Sequence, residues 1–119
     1  MPKSEFYLAG KGSFIPKEGE ENSNKSIIFY ENTNNKDETL KEYVAFNVEL
    51  KKDDEIQIKS NKSETIYSNF TFDLKNAMGK GQIGQLPDTN FAKVMVDGTY
   101  TFYFRVYKDT TKTPTIWVN

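Results

Sequence analysis

Between Asp97 and Tyr107 the chain reads Asp-Gly-Thr-Tyr-Thr-Phe-Tyr-Phe-Arg-Val-Tyr, and it closes with Ile116-Trp117-Val118 before the terminal Asn119. The long segment alternates with period two. Tyr100, Phe102, Phe104 and Val106 fall on one face of an extended strand, and Thr99, Thr101, Tyr103, Arg105 and Tyr107 on the other, because successive strand side chains point to opposite sides. The first face is core. The second is rich in tyrosine and threonine, the make-up of a sheet face that contacts a ligand.

Other segments repeat the pattern at short intervals. Phe6–Ala9 leads into the turn-rich Gly10-Lys11-Gly12-Ser13, and Ile27–Tyr30 forms a compact strand between polar loops. Val44, Phe46, Val48 and Leu50 alternate against Tyr43, Ala45, Asn47 and Glu49, and Ile56 and Ile58 continue the apolar face beyond Lys51–Asp54. Residues 43–59 therefore read as a β-hairpin. Ile66–Leu74 and Phe91–Val96 are further strands, with a glycine-rich stretch from Ala77 to Pro87 between them. Glu38–Tyr43 and Leu74–Met78 are the best helix candidates, and neither shows two turns of an apolar stripe. At 119 residues the chain makes one domain, 1–119, and the expectation is an all-β, immunoglobulin-like sandwich of seven to eight antiparallel strands. Aromatics are 14% of the residues, which suits a Phe, Tyr, Ile and Val core.

Composition also narrows the chemistry. With no cysteine there is no disulfide, thiolate metal site or sulfur nucleophile, and with no histidine the commonest general base and zinc ligand are missing. The net charge of −1 invites neither nucleic acid nor an anionic membrane. No run approaches the roughly 20 apolar residues of a membrane span, so membrane insertion is not expected. Arg105 is the single arginine among 16 basic residues, and asparagine is abundant, a usage that fits an AT-rich coding sequence from a low-GC bacterium or its virus. The N-terminus runs straight into strand-like sequence without an apolar signal segment. The chain is then either a module of a larger secreted protein, placed outside the cell or on its surface, or a complete protein made in a cytoplasm.

The order YLAGKGSF, IIFYEN, EYVAFNVELKKDDEIQIK and DGTYTFYFRVY…IWVN resembles the starch-binding type of carbohydrate-binding module. The resemblance spans most of the chain and rests mainly on structural positions, with Gly10 and Gly98 at turns and Val48, Leu50, Ile56, Tyr100 and Phe102 in the core. It implies an immunoglobulin-like sandwich that binds an α-glucan such as starch or glycogen by stacking sugar faces on aromatic rings. Such modules commonly carry a tryptophan in a Phe-x-x-Trp pattern after the first strand, whereas here Phe14 is followed by Ile15-Pro16-Lys17. With one tryptophan in the chain, a two-ring platform would draw on tyrosine.

The candidate ligand-binding residues are Trp117, Tyr103 and Tyr107. Alternation sets Trp117 opposite Ile116 and Val118, where it either stacks a sugar or packs under a loop or partner subunit. Tyr103 and Tyr107 share the face away from Phe102 and Phe104, as ligand contacts or as ordinary cross-strand neighbours. Tyr7, Tyr30, Tyr43 and Tyr67 read as core-edge residues. Asp53-Asp54-Glu55 reads as a solvated hairpin turn, since it lacks the glycine spacing of a calcium loop. Gly79–Gly84 lacks the Gly-Lys-Ser/Thr ending of a phosphate loop. No residue is nominated as catalytic, and no metal or cofactor is expected. Two functions follow: a non-catalytic α-glucan-binding module, or an accessory or decoration protein on a bacteriophage virion, contacting capsid or other virion proteins at the virion surface.

Overall fold

A computed structural model describes residues 1–15, 27–68, 70–72, 83–85 and 89–119, with backbone alone for 70–72 and 85. The chain is all-β. Its strands are β1 (Lys3–Lys11), β2 (Ile28–Glu31), β3 (Leu40–Leu50), β4 (Glu55–Ser60), β5 (Ile66–Tyr67), β6 (Phe70–Phe72), β7 (Ile83–Gln85), β8 (Ala92–Val94), β9 (Gly98–Tyr107) and β10 (Thr115–Val118). Nine of them run side by side in the order β6-β10-β9-β3-β2-β1-β4-β8-β7, and β5 adds to the edge of β4. Neighbours are antiparallel except β10 and β6, which run parallel. The described strands thus number ten, against the seven to eight expected.

The sheet curls into a half-barrel, and the terminal strands of the path, β6 and β7, come back within 8 Å of each other. Its concave side holds the core. Phe6 and Leu8 of β1, Ile56 and Ile58 of β4, and Ala92 and Val94 of β8 meet Tyr100, Phe102 and Phe104 of β9 and Ile116 and Val118 of β10. The Phe6 and Phe104 rings sit edge to face with centroids 5.0 Å apart, although β1 and β9 lie three places apart in the sheet. Tyr67 and Phe104 also meet, in a tilted arrangement with centroids 4.9 Å apart. Only curling brings such strands together. The alternation of β9 is as the sequence predicts, with Tyr100, Phe102 and Phe104 all but fully buried.

Four sequence expectations change. Residues 43–59 do not form a hairpin: β3 pairs with β9 and β2, β4 pairs with β1, β8 and β5, and β2 and β1 lie between them. Lys51–Asp54 instead carries the chain over the end of the sheet from one side to the other. Alternation tells which face of a strand is apolar and leaves its edge partner open, so a hairpin and a crossover satisfy it equally.

The Val44, Phe46, Val48, Leu50 face is also broken. Between the pairs Ala45↔Phe102 and Val48↔Tyr100 the register slips, and Asn47 adopts φ 52°. This β-bulge adds one residue to β3. Tyr43 and Ala45 therefore join Val48 and Leu50 on the core side, while Phe46 turns outward and is 53% exposed.

Asp54 is the third change. In place of a solvated turn residue, the structure has a buried carboxylate that accepts hydrogen bonds from the Ser13 N–H at 2.8 Å, the Ser13 hydroxyl at 2.6 Å and the Lys51 N–H at 2.8 Å. It ties the crossover to the end of β1, where a Cβ on Gly12 (φ 138°) would lie 2.2 Å from the Asp54 side-chain oxygen. Fourth, Ile66–Leu74 is not one strand, since β5 pairs with β4 whereas β6 pairs with β10. The helix candidate at Glu38–Tyr43 is a turn entering β3 at Leu40. Leu74–Met78 and residues 79–82 lie outside the described residues, and so do residues 17–25.

Candidate functional site: the outer face of the sheet

The outer, convex face is organised by cross-strand register. Ile116 and Val118 point into the core at 1% and 0% exposure, so Trp117 between them points out. Trp117 pairs with Tyr103, Tyr103 with Val44, and Val44 with Tyr30. Residues directly opposite in a ladder share a face, so Trp117, Tyr103, Val44 and Tyr30 form one row across β10, β9, β3 and β2. The two tyrosines and the tryptophan are half-buried. Val44 is 2% exposed although it lies on the outer face, and forms an apolar floor flanked in register by Tyr30 and Tyr103.

A polar row runs alongside. Arg105 lies opposite Glu42 on one side and Thr115 on the other. The Arg105 Nε donates to Glu42 Oε2 at 2.8 Å, and the Asn32 amide donates to Glu42 Oε1 at 3.0 Å. The Arg105 guanidinium also stands over the Trp117 ring, 5.6 Å from its centroid, a cation–π contact. The buried Trp117 Nε1 has no acceptor among the described residues. The half-buried Trp117 ring thus lies beside the Arg105 guanidinium, and its N–H is kept away from solvent.

Of the three candidate residues, Trp117 and Tyr103 are brought directly together. Tyr107 is on the same face but beyond Arg105, where its hydroxyl is 3.4 Å from Thr115 Oγ1 and the Lys112 ammonium lies 5.6 Å from its ring. The other tyrosines divide. Tyr43 and Tyr67 pack against Phe6 inside the curl, whereas Tyr7 and Tyr30 lie on outward positions of β1 and β2. The sequence reading missed Tyr30, Glu42 and Asn32 as parts of this face. Their signal was only that each sits in or beside a strand. The partner that gives each its meaning is supplied by register.

A groove of about 540 Å³ opens beside Tyr30, where β2 parts from β3 past the Tyr30↔Val44 pair. Its lining includes Ile28, Tyr30, Phe46, Asn47 and Glu49. The bulge at Asn47 turns Phe46 outward to line it, beyond the point where the β2–β3 pairing ends. Among the described residues no group of three or more acidic, histidine or cysteine side chains is placed to hold a metal ion, and no helix is long and apolar enough to cross a membrane. No protein-family model, curated protein or solved structure matches this chain.

Proposed function

We propose that this chain is a non-catalytic binding module whose outer sheet face holds a glycan of the α-glucan class, like the starch-binding modules it resembles. The observation that carries this reading is the Tyr103–Trp117 pair, set side by side in register with the Arg105–Glu42 ion pair next to it. Aromatic rings suit the C–H faces of a pyranose, and a few fixed polar groups beside them bind its hydroxyls and orient it. The face is convex, so it holds a chain without enclosing a bond to be cut. The immunoglobulin-like sandwich belongs to this proposal: the curl lays the β1-β4-β8 side over the β9-β10 side, which is how two sheets would face each other. On this reading the protein works outside the cell or at its surface.

Affinity electrophoresis in gels with and without starch or glycogen tests it. The wild-type chain should be retarded by one of them and Trp117→Ala should not. Absence of retardation by any α-glucan would sink the proposal. One observation favours a second reading, an accessory protein of a virion surface: Met95 and Val96 are 45% and 47% exposed, and bare aliphatic side chains suit a protein partner better than a polyol. Co-sedimentation with phage capsids, unaffected by soluble glucan, is the result that reading requires.

A further inference from the structure

Resting on the glycan reading, we infer that the site extends past Trp117 and Tyr103, across β3 to Tyr30 and into the groove beside Phe46, so that it takes an oligosaccharide chain and not a single terminal sugar. The row from Trp117 to Tyr30 crosses four adjacent strands, a span of about 14 Å at ordinary inter-strand spacing. That exceeds what one sugar ring covers. Within the row, Val44 lies in register between the two tyrosines and is 2% exposed.

The groove has the same chemistry as the row. At about 540 Å³ it is of ligand size. It sets two rings, Tyr30 and Phe46, beside two polar side chains, Asn47 and Glu49. Asn47 is held by the bulge, its own N–H reaching Thr101 Oγ1 at 3.3 Å. Neither the Asn47 carboxamide nor the Glu49 carboxylate is engaged by another described residue, so both are available to hydroxyl groups. Phe46, out of the core by one inserted residue, gives the groove its second ring. The bulge therefore shapes a subsite, with Tyr30 as the residue shared between row and groove.

The test is the affinity of the full chain for a maltose-to-maltoheptaose series, measured by calorimetry, with Phe46→Ala, Glu49→Gln and Trp117→Ala. Phe46 and Glu49 are exposed, so both variants should fold normally. Affinity should rise steeply from maltose to maltoheptaose. Phe46→Ala and Glu49→Gln should weaken maltoheptaose by about tenfold and leave maltose unchanged, whereas Trp117→Ala weakens both. If affinity is the same for every length, or if only Trp117→Ala matters, the extended site is wrong and the glycan reading stands. If wild type binds no member of the series and is not retarded by starch or glycogen, the glycan reading fails and the extended site with it.

Discussion

Asp54 and Tyr100 show how much single side chains decide here. The Asp54 carboxylate is 4% exposed and accepts three hydrogen bonds at the crossover. Replacing it by Ala leaves the Ser13 and Lys51 N–H groups without their acceptor, a loss on the order of 3 kcal/mol, since each bond to a charged group is worth about 1.5–3. Asp54→Asn, which keeps one acceptor oxygen, should recover part of this in urea unfolding. Tyr100 is 1% exposed and its hydroxyl donates to Val96 O at 2.6 Å. Burial, and then the nearby Asp97 charge, raise its pKa above the ordinary phenol value, and burial followed by Glu31 and Glu5 does the same for Tyr43. A folded pKa above the unfolded one means the stabilisation is complete below the unfolded value of about 10 and fades as pH rises through the folded value. The urea midpoint should therefore hold up to about pH 10 and fall as pH rises beyond it, and the fall should be smaller in Tyr100→Phe.

At the scale of the element, the bulge in β3 separates what the sequence pattern says from what the strand does. Val44, Phe46, Val48 and Leu50 alternate without a break in the sequence, yet only Val48 and Leu50 of that set face the core. A local pattern does not register a bulge, because the inserted residue is identified by its partner strand. Asn47 is the residue that permits it. Its φ of 52° is left-handed backbone, which asparagine tolerates and a β-branched residue does not. Asn47→Val should cost roughly 1–2 kcal/mol while Asn47→Gly is neutral or slightly stabilising, both read from denaturant midpoints. A stabilised Asn47→Val would mean that β3 runs without a bulge and that Phe46 belongs inside. By contrast β9 and β10 were legible residue by residue, since neither carries a bulge and their apolar faces pack into the core, with Val106 at its half-buried margin.

At the scale of the molecule, the curl is what makes a core from strands that are not neighbours. Phe6 and Phe104 meet edge to face at 5.0 Å from strands three places apart. A double-mutant cycle on Phe6→Leu and Phe104→Leu should show a coupling of about 0.5–1.5 kcal/mol, the range for aromatic pairs. Additivity would place β1 and β9 apart and leave the sheet open. The same curl exposes the convex face on which Trp117, Tyr103, Val44 and Tyr30 line up.

The period-two pattern of Thr99–Tyr107 and Ile116–Val118 was enough by itself to specify strands, their buried face and the outward direction of Trp117 and Tyr103. Those properties depend on side-chain alternation along one strand, which a chain carries locally. Pairing is a different matter. That β3 crosses over to β4 in place of turning back, that Arg105 meets Glu42 and stands beside Trp117, and that Tyr30 completes the row are properties of register between strands far apart in sequence. Hydrogen-bonded ladders form between backbones that are chemically alike at every position, so the choice of partner is made by how all the apolar faces close around one core. That closure exists only in the folded molecule.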